Sequence, residues 1–271
     1  MRHLIFFLLL PAFAQAQLGK FVPETIVSYT FKYKIYLNEE TIGTYKMWLM
    51  VKGYQSCFLD KKMFDLDTSM VKASSSVKNV ADAMKQVSAF PKPRIGTVIQ
   101  KNLKDNLLQL NQVVARDYYY YEEELTFNWA IKTEKEKVLG YEVQKATCSF
   151  RGKNYTAWFT AQIPINDGPY KFHGLPGLIL KIYDDKMEVF FEANEIIQAS
   201  PQYEIGFQLF KDLRKLSKKE LKAANEQALA NPLANIDSNP NIRMDEENRK
   251  KVMEMARKRA ERKINQIEID D

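Results

Sequence analysis

The sequence predicts an α+β protein, in which a mainly antiparallel, strongly curved β-sheet similar to a half-barrel is followed by C-terminal helices. Apolar and polar residues alternate with period two from residue 26 onward, as in strands with one buried face. Short turn sequences separate these strands and predict hairpins. Helical capping and spacing signals appear near the end of the chain and in one insertion between strands. About eight or more strands are expected, and open sheets of that size tend to curl.

The first 16 residues have the pattern of a secretory signal peptide. Arg2 supplies the positive start, residues 4–10 the apolar segment, and Ala14 and Ala16 the small residues of a cleavage site. The apolar segment is too short to span a bilayer, and no other stretch approaches transmembrane length. We therefore expect export to the periplasm or the extracellular space, with cleavage near Ala16 and a soluble mature protein.

The formal net charge of +6 raises the question of a nucleic-acid partner. The positive excess lies largely in the predicted C-terminal helices rather than in a basic and aromatic groove. Together with the expected export, this distribution argues against nucleic-acid binding. The sequence gives no indication of the oligomeric state.

Residues 17–215 are predicted to form the antiparallel β domain. Alternation is clearest at residues 26–37, which form a hairpin with residues 44–51. Further strands are expected at residues 96–103, 107–115, 118–121, 125–133, 141–150, 155–163, 178–183 and 187–197. A helical insertion is predicted near residues 71–89, because Val77, Val80, Met84 and Val87 recur at helical spacing.

Residues 216–271 are predicted to form a helical C-terminal region. Ser217 and Glu220 have the spacing of a capping box, and Asn231 followed by Pro232 ends that helix. A second helix is expected from Asp245 to about Lys263, after a polar linker.

A glycine- and proline-rich stretch, residues 168–177, leads into an apolar run and predicts a sharp bend before a strand. Its motif residues are Gly174, Leu175, Pro176, Gly177, Leu178 and Ile179. We interpret them as architectural, because none can transfer a proton or hold a metal.

The same six residues spell GLPGLI, and their flanks strengthen a family resemblance. The flanking features are Trp129 and residues 140–141, 144–147, 150–152, 155, 157–160 and 163–165. In this order they resemble the GLPGLI family, exported proteins of Gram-negative bacteria without an established biochemical activity. The resemblance covers residues 129–197 and implies export but no reaction. Similar proteins often carry a cysteine where this chain has Val143, so no cysteine role carries over.

Cys57 and Cys148 are the two cysteines of the chain. An oxidising compartment permits a disulfide between them, but two separate buried thiols are an equally good interpretation. His173 is the one histidine after signal removal, and a hydrogen-bonded histidine in a tight turn is favoured over a general acid or base. With so few ligands the common zinc sites cannot form, so no metal, cofactor or catalytic residue is predicted.

Aromatic residues provide the best functional signal. Core packing is the favoured interpretation, and an apolar or carbohydrate-stacking cavity is the alternative. The candidate ligand-binding residues are Tyr118, Tyr120, Trp158, Tyr170, Phe172 and His173. We therefore predict a non-enzymatic exported binding or interaction protein that holds an apolar small molecule in a curved sheet. The alternatives are an accessory protein of an outer-membrane assembly, with an outer-membrane protein as its partner, and an enzyme.

Overall fold

Twelve strands form one open sheet in the part of the chain that the computed structural model describes, residues 19–76, 93, 95–115, 117–210, 212–238 and 243–261. The strands are β1 (Thr25–Tyr33), β2 (Gly43–Lys52), β3 (Gln55–Asp60), β4 (Thr97–Asn102), β5 (Leu107–Val114), β6 (Asp117–Glu124), β7 (Ala130–Val138), β8 (Tyr141–Phe150), β9 (Lys153–Thr160), β10 (Leu178–Asp184), β11 (Val189–Gln198) and β12 (Arg214–Lys215). The helices are α1 (Lys61–Ser76), α2 (Lys218–Ala230), the single turn α3 (Ala234–Asp237) and α4 (Glu246–Ala260).

The sheet consists of two antiparallel meanders joined edge to edge. The first meander contains β1 to β6 and the second β7 to β11, each in sequential order. Strand β1 joins them, because it pairs with β2 on one side and with β11 on the other. Strand β12 adds a short parallel pair outside β6, so β12 and β7 are the two edges.

Apolar side chains cover both faces of the sheet around β1. One face, named here the Tyr29 face, carries Val27, Tyr29 and Phe31 and is packed by the segment 161–177. The opposite face, named the Trp48 face, is packed by α1 and by residues 205–210. Ser28, which alternation assigns to a wetter face, is fully buried for this reason.

The two longer C-terminal helices begin where the sequence signals place them, whereas α1 and the turn α3, inside the predicted linker, do not match the predictions. Helix α2 begins after Ser217, and the Ser217 side chain and Glu220 form both hydrogen bonds of the predicted capping box. Asp245 precedes α4, as expected. Helix α1 begins at Lys61, ten residues before the predicted insertion, and is described as far as Ser76. The rest of that predicted helix, residues 77–89, and the signal segment, residues 1–16, lie outside the described residues.

Candidate functional site

The GLPGLI turn requires glycine at two positions for different reasons. Gly174 has φ +89° and Gly177 has φ +148°, both in the region that side chains disfavour. A Cβ on Gly177 would also lie 2.6 Å from the carbonyl carbon of Thr160. The Gly177 N–H donates to the Leu175 carbonyl at 2.8 Å, and β10 begins at the next residue. The backbone at Gly177 therefore passes very close to the backbone of Thr160, the last residue of β9.

Three of the predicted ligand-binding residues meet on the Tyr29 face. The Phe172 ring is fully buried, with its centroid 4.7 Å from that of Tyr155 and 6.2 Å from that of Tyr170. His173 is 8% exposed and meets the edge of Phe127. Phe172 and its neighbours thus fill the space between the segment 161–177 and the sheet.

The other three predicted residues lie elsewhere. Tyr118 packs against Phe210 on the Trp48 face, at a centroid distance of 5.7 Å. Tyr120 lies under the ammonium group of Lys215, and Trp158 under that of Lys181. The Tyr121 side chain points toward the segment 161–177, where its hydroxyl accepts from Lys171. Because successive side chains of a strand point to opposite faces, Tyr118 and Tyr120 point away from that segment. The six residues therefore do not line one cavity.

A buried ion pair anchors the turn to the first meander. The Lys101 ammonium donates to Asp167 Oδ1 at 2.5 Å and to the Gly168 carbonyl at 2.7 Å. The side chains of Lys101 and Asp167 are 0% and 1% exposed. The Asp167 carbonyl in turn accepts from the N–H of Ile179. Sequence reasoning missed this pair, although Lys101 has the same strand parity as the buried Ile99, which is a signal for an inward-facing lysine.

Lys171, in the segment 161–177, is a second buried lysine. The Lys171 ammonium donates to the Tyr121 hydroxyl at 2.9 Å and to the Glu123 carboxylate. Arg151 binds the other oxygen of that carboxylate at 2.7 Å. Because β6 contributes Tyr121 and Glu123, this cluster also links the segment 161–177 to the first meander.

Burial shifts the pKa values of two groups near the turn, Lys101 and His173. It lowers the pKa of Lys101, and the Asp167 carboxylate partly opposes that shift. Burial also lowers the pKa of His173 below its ordinary value of 6.5, and the nearby Lys101 charge adds to the effect. The hydrogen bond of His173 Nδ1 with the Lys171 carbonyl, at 2.8 Å, opposes it. These contacts support the interpretation of His173 as a hydrogen-bonded histidine of a tight turn.

Cys57 and Cys148 are free and buried, so the structure does not contain the disulfide that was one of the two alternatives. They belong to β3 and β8, which are separated by five intervening strands. Six strand steps of about 4.8 Å, about 29 Å along the sheet, separate the two strands, whereas a disulfide requires Cα atoms within about 7 Å of each other. Burial raises the pKa of the Cys148 thiol to about 12.

An open groove lies between α2 and the β6 edge of the sheet. Its volume is about 670 Å³. The lining residues are Tyr119, Arg214, Lys215, Leu216, Glu220, Ala223, Ala224 and Gln227. Arg214 lies over the Tyr119 ring at 4.9 Å and binds Asp117 at 2.8 Å. Sequence reasoning missed this groove, because small and charged residues on a helix give no distinctive binding signal.

The described residues contain neither a metal-binding cluster nor a helix suited to span a membrane. Within them, no group of three or more His, Cys, Asp or Glu side chains is arranged to hold a metal ion. No helix in this part of the chain combines the length and the apolar character that crossing a bilayer requires.

Comparison with known proteins gives a short sequence match and a fold likeness. Residues 149–181, which include the GLPGLI turn, match a family model described as "Protein of unknown function (Porph_ging)". No curated protein sequence matches the chain. Two structures of PNGF-II, in the P21 and C2 space groups, are similar with TM-scores of 0.51 and 0.50 at 16% identity. Each match covers 75% of this chain but 33% of the PNGF-II chain, so the chain spans about a third of that length. This likeness shows the fold alone.

Proposed function

We propose that the protein is a non-enzymatic, exported binding protein that holds a mainly apolar small molecule in the groove between α2 and β6. The observation that carries the proposal is the groove itself. Its volume of about 670 Å³ falls within the range of small-molecule sites, roughly 300–1,000 Å³. Tyr119, Leu216 and Ala224 supply apolar surface, and Gln227 supplies an amide for orientation.

The charges at the rim favour an uncharged ligand. Arg214 is paired with Asp117, and Lys215 with Glu122. Glu220 is occupied by the capping box of α2. Since Arg214 and Lys215 have carboxylate partners and Glu220 accepts the hydrogen bonds of Ser217, a charged ligand would have to compete with existing contacts. A neutral molecule that stacks on Tyr119 meets no such competition.

The groove replaces the interior of the curved sheet as the proposed ligand site. Phe172 and Leu175 fill the Tyr29 face, so a ligand there would first have to displace buried side chains. The short family match is compatible with the GLPGLI resemblance, and we propose that the chain is an exported protein of that kind with a half-barrel-like sheet. The signal-peptide pattern of residues 1–16 supports export.

A groove-filling variant tests the proposal. Ala223 is exposed and lines the groove, whereas Ala230 is exposed at the end of the same helix and does not line it. We expect the neutral fluorophore N-phenyl-naphthylamine to bind wild type and Ala230→Trp saturably. Ala223→Trp should lose most of this binding at unchanged helix content. Titrations followed by fluorophore emission, with circular dichroism of each variant, measure both properties.

Native mass spectrometry of wild type provides a second readout. A co-purifying small molecule that Ala223→Trp no longer retains would support the groove as its site. Equal fluorophore affinity in all three proteins would disprove the proposed site.

A further inference from the structure

Two adjacent turns expose large apolar side chains at one end of the sheet. Leu37 and Ile42, in the β1–β2 connection, are 46% and 51% exposed, and Met187, in the β10–β11 turn, is 49% exposed. The turns are joined where the Lys34 N–H donates to the Glu188 carbonyl at 2.9 Å. We name residues 34–42 and 185–188 the apolar tip. Exposed apolar side chains gathered in one place commonly mark interaction surfaces.

The apolar tip is also acidic. Its formal charge is −2, because it contains four carboxylates and only two lysines. The carboxylates are those of Glu39, Glu40, Asp185 and Glu188, and the lysines are Lys34 and Lys186. An anionic lipid surface would be repelled by this charge. A partner with apolar side chains between cationic ones is complementary to it.

Helix α4 carries that complementary pattern. It has six basic residues against three glutamates, a formal charge of +3, and exposes Met253 and Met255. Lys250 and Arg257 lie one turn before and one turn after Met253, on the same side of the helix. Beside Met255, by contrast, Lys251 and Lys258 form ion pairs with Glu247 and Glu254 at 2.5 and 2.7 Å. Beside Met253, Arg257 pairs with Glu261 at the longer distance of 3.6 Å, and Lys250 forms no ion pair with a described residue. This side of the helix, formed by Lys250, Met253 and Arg257 and named the Met253 side, therefore keeps the positive charge of Lys250 available.

We propose that the apolar tip of one copy of this chain docks on the Met253 side of α4 in a second copy. The two surfaces belong to different parts of one molecule. Helix α4 contacts α2, which packs on β5 and β6, whereas the tip extends from β1, β2 and β11. Five strand steps, about 24 Å, separate β6 from β1 in the sheet. The contact is therefore head to tail, and it leaves one unused surface at each end of the assembly.

The size of the two surfaces sets the strength of the contact. A few half-exposed side chains on each partner cover less area than stable interfaces, which bury about 1,200–2,000 Å². The association is therefore weak, with a dissociation constant on the order of micromolar or higher. It is also sensitive to salt, because opposite formal charges bring the surfaces together.

Sedimentation velocity of the full chain at increasing protein concentration tests the proposal. Wild type should form dimers and longer chains at low salt and return toward the monomer at high salt. The tip variant Leu37→Ser/Ile42→Ser should remain monomeric, whereas Tyr54→Ser/Leu139→Ser, which changes exposed apolar residues of other turns, should behave as wild type. The helix variant Lys250→Glu/Met253→Ser should also remain monomeric. Its control, Lys251→Glu/Met255→Ser, makes the same changes on the other side of α4.

Mixing the two monomeric variants distinguishes this contact from other forms of association. The tip variant retains its helix and the helix variant retains its tip, so an equimolar mixture should form a one-to-one dimer that cannot grow. Wild type that stays monomeric at every concentration would overturn the proposal. So would a mixture that stays monomeric, or association that the tip and helix variants retain, since these outcomes would indicate another partner or another surface.

Discussion

At the scale of single residues, Gly177 gives the sharpest test of the turn. Gly177→Val combines an unfavourable φ with a clash against the Thr160 carbonyl, whereas Gly174→Ala adds only the unfavourable φ. We expect Gly177→Val to lower the free energy of unfolding by about 2–4 kcal/mol and Gly174→Ala by about 1 kcal/mol. Urea denaturation followed by circular dichroism measures both. Equal losses would show that the close crossing at β9 does not matter.

His173 gives the turn a predictable dependence on pH. Its pKa in the folded protein lies below the ordinary 6.5 of the unfolded chain, so the unfolded state binds more protons between these two values. The contribution of His173 to stability is therefore complete above the unfolded pKa and is lost as the pH falls through the folded pKa. His173→Asn, which keeps a donor near the Lys171 carbonyl, should remove this part of the pH dependence.

Unfolding free energies at about pH 7.5 and about pH 5 measure the effect. Wild type should lose more stability between these values than His173→Asn does. Asp167 and Lys101 also lie near the ring. Lys62→Asn, at an exposed position of α1, therefore serves as a control for general charge effects. Identical pH slopes in wild type and His173→Asn would contradict the burial of a neutral imidazole.

At the scale of elements, helix α2 depends on its N-terminal cap. Ser217→Ala removes the side-chain oxygen that accepts from the Glu220 N–H and should cost about 1 kcal/mol. Faster hydrogen exchange of the α2 amides is the expected result, because this helix lies at the edge of the sheet. Lys219→Ala, in the same first turn but outside the capping box, should leave exchange nearly unchanged. Equal exchange in both variants would mean that the cap does not hold the helix.

Local sequence signals predicted the strands in which buried and exposed residues alternate and the helix that begins with a capping pattern. The alternation of β1 and β2 and the capping box of α2 are of this kind. Strand β3 was missed, because residues 56–60 are buried on both faces and show no alternation. Strand β7 begins at Ala130, five residues later than predicted, and its exposed, charged sequence lacks an apolar face. Edge strands often carry such charges, which weaken the strand pattern.

Partners that are distant in the sequence could not be predicted for a different reason. Strand parity indicates that Lys101 points inward, but not that Asp167, 66 residues later, meets it. The same limit applies to the groove, because Tyr119 and Ala223 are about 100 residues apart in the sequence, and β12, which pairs with β6, lies between them in the chain. The aromatic candidates were identified by residue type, and their distribution between two faces required the register of β6 and β9.

At the scale of the whole molecule, the segment 161–177 couples the two meanders. It belongs to the second meander, yet its polar groups bind the first through Lys101 and Tyr121. The Tyr29 hydroxyl adds a third link by donating to the Ile179 carbonyl at 2.6 Å. The β1–β11 ladder joins the meanders edge to edge, and these contacts join them across the Tyr29 face. We therefore expect the meanders to unfold together.

Two tryptophans test this coupling, because Trp48 lies in the first meander and Trp158 in the second. The variant Trp129→Phe/Trp158→Phe retains only Trp48, and the variant Trp48→Phe/Trp129→Phe retains only Trp158. In each variant, the fluorescence of the remaining tryptophan should give the same urea midpoint as circular dichroism. Adding Lys101→Met leaves the Asp167 carboxylate buried without its partner, which should cost about 3–5 kcal/mol. The tryptophan and circular dichroism midpoints should fall together, because a carboxylate that destabilises the segment 161–177 destabilises the packing of both meanders. A Trp48 transition separate from that of Trp158 would instead make the β1–β11 ladder a boundary between two independently unfolding halves.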